Sequence, residues 1–135
     1  MIARLKKNHF LWYQGPMVLW ALALFTESSI QGDDIPDFGF LAHDKLIHFF
    51  IYTIFAFAVH RAIHFQARFP FFARHDYLLT FTIVALYAAT DEWHQYFVPN
   101  RNCSLNDWFA DCLGAITYLA FNWTVSKFRS TPASD

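Results

Sequence analysis

The sequence predicts an all-α protein: an integral membrane four-helix bundle with both chain ends on the cytoplasmic side. Three observations predict it. Four apolar segments, each free of Asp, Glu, Lys and Arg over 14 to 19 residues, are separated by three polar breaks. The basic residues are sorted between alternate breaks, and Pro and Gly punctuate the breaks themselves. Composition agrees. At 135 residues and 15.9 kDa the chain is one domain, spanning 1–135. It is 56% hydrophobic and only 16% charged, against about 45–50% and about 25% in ordinary soluble domains. That excludes a disordered chain. A net charge of −1 supplies no field for phosphate backbones, so no nucleic-acid partner is expected. Cys103 and Cys112 make no CxxC pair and no disulfide framework. Mean hydropathy is only +0.21, because ten basic, eleven acidic and seven histidine residues dilute the apolar majority. Where those polar residues fall therefore carries the information.

The first segment, Asn8–Thr26, is charge-free over 19 residues, enough to cross roughly 30 Å of hydrocarbon as a helix. Pro16 inside it is tolerated in a spanning helix. A secretory leader is the competing reading, with Arg4–Lys7 as its basic start and Ala21-Leu22-Ala23 as a cleavage site. Cleavage there would cut inside an apolar run, so a retained helix is expected. The later runs Leu46–His60, Tyr77–Thr90 and Cys112–Ser126 reach spanning length only by taking in polar residues at one end. The expected spans are 10–29, 44–63, 77–97 and 105–126. Pro36, Pro70 and Pro99, with Gly32 and Gly39, mark the breaks.

Charge sets the orientation. Arg4, Lys6, Lys7, Arg61, Arg68, Arg74, Lys127 and Arg129 are eight of the ten basic residues and share one side if the segments alternate across a bilayer. The other side holds Asp33, Asp34 and Asp37 with only Lys45 and Arg101 as cations. This is the positive-inside pattern of a multi-pass protein of the inner membrane; a soluble bundle has no reason to sort charge this way.

On this topology all four helices bring ionisable residues to the outer end. Glu27 ends the first helix, and Asp44, Lys45 and His48 begin the second. Asp91, Glu92, His94 and Gln95 end the third, and Arg101, Asp107 and Asp111 lead into the fourth. Asp44/His48 and Asp107/Asp111 are i,i+4, and Asp91/His94/Gln95 are i,i+3,i+4, so each set occupies one helix face. Ionisable groups at membrane depth face a bundle interior or a watery cavity. The expectation is a polar pocket open to the outer leaflet. Lys45 and Arg101 can neutralise two carboxylates in a plain salt-bridge network. The surplus carboxylates must be protonated, hydrated or matched by an external cation.

These residues resemble a known family. Asp44-Lys45-Leu46-Ile47-His48 with Tyr52, then Asp91 to Arg101 (DEWHQYFVPNR), then Asp107 with Asp111-Cys112-Leu113-Gly114 look like the VanZ-like domain, from about Asp44 to Gly114. Asp44, Lys45 and His48 match its DKxxH. Asp91, Glu92 and Gln95 match its DExxQ, Pro99 and Arg101 its PxR turn, and Asp107 and Gly114 its last-helix signature. Asn100 stands where the family often has Gly, and Asp111 where Asn is common. Asn tolerates a left-handed turn, whereas Asp111 adds a negative charge. The resemblance implies a small bacterial membrane protein of the cell envelope, in a family whose founding member is associated with low-level teicoplanin resistance.

Three classes of function follow. In the first, the pocket binds or modulates an envelope lipid, a lipid-linked cell-wall precursor or a lipoglycopeptide, with Lys45, His48 and Arg101 meeting its anionic groups. In the second, the carboxylates and histidines hold a divalent metal for a hydrolase or transferase acting on a lipid-linked substrate. No HExxH and no activated Ser or Cys nucleophile supports that, so neither metal nor cofactor is assigned. In the third, Asp and His relay protons, but the cytoplasmic halves of the spans offer no polar path. His60, His64 and His75 are expected at the inner interface. Trp12, Tyr13, Trp93, Tyr96, Trp108 and Trp123 are expected in interface belts and packing. Gly114 beside Ala115 suits a close helix approach, and Cys103 is expected as a free thiol.

Overall fold

Proline placement decides where the first helix begins. Pro16 sits in the first turn of α1 (Gly15–Ser28), where its missing N–H breaks no hydrogen bond within α1 itself. Upstream, residues 10–13 form a further helical turn, and the regular pattern breaks at Gln14. The single helix expected over 10–29 is therefore two pieces. A 3-10 turn follows at Gly32–Asp34. Helix α2 spans Leu41–His64. Pro70 starts the short α3 (Pro70–Arg74) directly after the extended Phe69. Helix α4 covers Asp76–Gln95 and α5 Leu105–Ser130. The computed structural model describes residues 10–34, 41–66 and 68–130, and these are all-helical, with no strand among them. Arg4, Lys6, Lys7, Pro36, Asp37 and Gly39 lie outside the described residues, as does the side chain of Asp34.

Helix α2 is the axis of the bundle and packs against α1, α4 and α5, most extensively against α5. Helix α4 also touches both α1 and α5, which places those two on opposite flanks. Gly114 explains the tight α2–α5 seam. A Cβ there would lie 2.4 Å from the carbonyl oxygen of Phe49 and 3.0 Å from Thr53 Oγ1. Only a residue without one lets the backbones approach so closely.

The apolar core is small: Leu24 of α1, Tyr52, Phe55, Ala56 and Val59 of α2, Val84 and Ala88 of α4, and Ala115 of α5. Aromatic tips stitch the helices across it. Trp20 Nε1 donates to Ile51 O at 3.0 Å, Trp108 Nε1 to Ala85 O at 3.0 Å, and Tyr87 Oη to Ala21 O at 2.5 Å. Trp108 is thus a packing residue, whereas Trp12, Trp93, Tyr96 and Trp123 are exposed.

Outside that core the usual polarity of a soluble protein is reversed. Leu19 and Leu22 on α1, Phe50, Ile54 and Phe57 on α2, Leu78 and Leu86 on α4, and Phe109 and Phe121 on α5 face outward. His48, Asp91, Glu92, Gln95, Asp107 and Asp111 are buried instead. One described helix, over Asp44–His64, is long and apolar enough to cross a membrane by length and composition. Asp91 and Glu92 on α4, and Asp107 and Asp111 on α5, dilute the hydropathy of the other two long helices.

Candidate functional site

Helices α1, α2, α4 and α5 each bring ionisable residues to one end of the bundle, around the N-terminal turns of α2 and α5. Asp107 and Asp111 are one turn apart on the face of α5 that meets α2. Lys45 Nζ lies 3.2 Å from Asp107 Oδ1, with the lysine side chain 42% exposed at the rim and the aspartate buried. One turn deeper, His48 Nδ1 and Asp111 Oδ1 are 3.0 Å apart, and both side chains are buried. A further turn along α2, the buried Tyr52 donates from its hydroxyl to Asp91 Oδ2 at 3.0 Å. Ser28, at the end of α1, is fully buried as well.

Glu92 binds across the bundle to the start of α5. Its Oε2 accepts the backbone N–H of Ser104 at 2.7 Å, immediately before Leu105 opens the helix. The positive end of the α5 dipole favours a carboxylate in that place. Burial of Asp91, Glu92, Asp107 and Asp111 close to Lys45 and His48 leaves acceptors over among the described residues. Glu92 Oε1 and Asp111 Oδ2 have no hydrogen-bond partner among the described residues, and neither does the donor Gln95 Nε2.

Arg101 is set by the turn before it. Asn100 adopts φ 57°, a left-handed conformation that Asn accepts more readily than most residues. Its Nδ2 donates to Asp33 Oδ2 at 2.6 Å, and Gly32 N donates to Pro99 O at 3.1 Å. Gly32 is required there, since a Cβ would sit 1.7 Å from Asn100 O. The docked turn aims Arg101 Nη2 at Glu27 Oε1, 2.9 Å away, and leaves its buried Nε–H without an acceptor among the described residues.

Most of the residues chosen from sequence meet here, with two differences. His94 turns away: its Nε2 is 3.0 Å from Ser29 Oγ and its ring stacks on Phe25 at 4.8 Å. The α4 face that buries Asp91 and Gln95 carries His94 toward α1 instead of toward His48. Asp44 stays exposed at the entrance. Tyr52, Ser28 and Ser104 complete the cluster and were not among the candidates. Tyr52 had a signal, as the i+4 partner of His48. Ser28 and Ser104 had none, because a helix-end serine is ordinary in sequence.

The side chains of the cluster are packed on one another. An open groove of about 480 Å³ lies elsewhere, between α4 and α5, lined by apolar residues such as Leu78, Phe81, Ile116 and Trp123. Two sets of ligand-capable atoms have all members within 4.8 Å of one another: His48, Glu92 and Asp111, and Asp44, His48 and Asp107. A third set, His60, His64 and Asp76, lies at the opposite end. There His64 Nδ1 is 2.5 Å from Asp76 Oδ2 and His60 Nδ1 is 2.9 Å from Tyr118 Oη. His60 is thus a buried junction residue between α2, α4 and α5; among the three histidines expected at an interface, only His64 is exposed.

A family model described as VanZ/LLP1 matches residues 6–125. No curated protein and no solved structure matches the chain with significance. The match spans every helix that contributes to the cluster, from α1 through the first five turns of α5, and the chain belongs to the VanZ/LLP1 family.

Proposed function

We propose that this is a multi-pass protein of the bacterial inner membrane, with four spanning helices, whose polar cluster faces outward. There it engages the anionic headgroup of an envelope lipid, a lipid-linked cell-wall precursor or a lipoglycopeptide. The observation that carries the reading is the reversed polarity of the bundle. Apolar side chains cover its flanks while His48, Asp91, Glu92, Asp107 and Asp111 are buried at one end. Lipid on the flanks and polar ligand at the end accommodate both features.

The cations suit an anion at the headgroup plane. Lys45 is half-exposed at the rim, where it pairs with Asp107. Arg101 is held by Glu27 with its Nε–H still unused, and guanidinium donates in pairs to phosphate or carboxylate. Family membership links the chain to antibiotic resistance at the level of the family. Teicoplanin, whose tail and target both meet the outer leaflet, is the matching antibiotic class.

Lipid analysis of the purified protein tests this. An anionic or lipid-linked species should co-purify, and Lys45→Ala and Arg101→Ala should each reduce its retention about tenfold, the effect of roughly one lost charge-assisted contact. Unchanged retention in both variants sinks the proposal. A second reading, metal-assisted hydrolysis or transfer on a lipid-linked substrate, is favoured by one observation, the approach of His48, Glu92 and Asp111.

A further inference from the structure

We infer that His48, Glu92 and Asp111 form a binding site for one first-row divalent cation. The inference rests on reading this cluster as a ligand site, but its argument is coordination chemistry alone. The three side chains come from three helices, α2, α4 and α5, and all are at least nine-tenths buried. Their donor atoms lie within 4.8 Å of one another. An ion held about 2.0–2.2 Å from each ligand draws such a set together by small side-chain rotations.

Charge and hydrogen bonding both ask for a cation. An imidazole and two carboxylates carry −2 when the imidazole is neutral, which a dication balances. The His48–Asp111 contact uses a single oxygen of the aspartate. Asp111 Oδ2 and Glu92 Oε1 remain buried with no partner among the described residues. Buried carboxylate oxygens are expensive to leave unmatched. One nitrogen and two oxygen donors suit Mn²⁺ or Zn²⁺ better than a thiolate-seeking ion. Asp44 and Asp107 also come within 4.8 Å of His48, near enough to serve as the outer carboxylates that commonly orient a ligating imidazole. Three protein ligands leave open positions, where an anionic headgroup oxygen could complete the shell.

The test uses the full-length protein in detergent, stripped with EDTA and titrated with Mn²⁺ and separately with Zn²⁺. Bound metal is read by elemental analysis and, for Mn²⁺, by loss of the free-ion paramagnetic resonance signal. The expected result is one EDTA-releasable ion per chain for at least one of the two metals. Glu92→Gln and Asp111→Asn should each weaken binding at least about tenfold, while His75→Ala, at the other end of the bundle, binds as the unaltered protein does. Glu92→Gln is the deciding variant should Asp111→Asn fail to fold, because its amide oxygen still accepts from Ser104. Helical circular dichroism establishes that each sample is folded. Folded protein that takes up neither ion at one per chain overturns the inference, as does Glu92→Gln binding as tightly as the unaltered chain. Lipid retention by the Lys45 and Arg101 variants is measured separately, so either proposal can fall alone.

Discussion

Arg61 Nη1 donates a 2.7 Å hydrogen bond to the carbonyl oxygen of Trp12. That oxygen is the acceptor an N–H at position 16 would have used in a continuous helix, and Pro16 has none. The arginine thus restores from α2 a bond that the proline removes upstream of α1. Its guanidinium also lies over the Tyr13 ring, 4.9 Å from the centroid.

Arg61→Ala should destabilise the bundle by about 1 kcal/mol, the usual worth of such a bond. With Pro16→Ala in the background the penalty should shrink, because residue 16 then supplies its own N–H to Trp12. A double-mutant cycle on thermal unfolding in detergent checks this. Strictly additive penalties would show that the two residues do not share the acceptor.

Gly114→Ala should loosen the α2–α5 seam. The added Cβ meets backbone at Phe49, which has no rotamer to change, so a loss of about 1–3 kcal/mol is expected from overpacking. A melting temperature within a degree of the unaltered protein would contradict the close approach.

Tyr52→Phe removes the donor to Asp91 Oδ2 while keeping the ring in the core. The buried acceptor loses that bond, so stability should fall by about 1–3 kcal/mol. Replacing Phe57, exposed on the same helix, by Leu should cost far less. Chemical denaturation of both variants gives the comparison.

Cys103 is exposed in the turn before α5, and Cys112 is buried. An impermeant maleimide added to intact cells should label the chain once, and Cys103→Ser should abolish the label. Protection of Cys103 in intact cells, with labelling after lysis, would reverse the proposed orientation.

The sequence by itself determined the helical fold class, because long charge-free runs separated by Pro-marked breaks leave few alternatives. It also determined which residues share a helix face, since spacing fixes Asp44/His48 and Asp107/Asp111 regardless of packing. The tertiary structure decided which faces meet. It joined Lys45 to Asp107 and His48 to Asp111, turned His94 aside to Ser29 and Phe25, and drew Ser28 and Tyr52 toward Asp91. It also decided that Glu92 Oε1 and Asp111 Oδ2 stay buried without a hydrogen-bond partner among the described residues. The physical reason is range. Helix periodicity acts over four residues, whereas the partner of His48 lies 63 residues away, brought near by Gly114 lacking a side chain where α5 crosses α2.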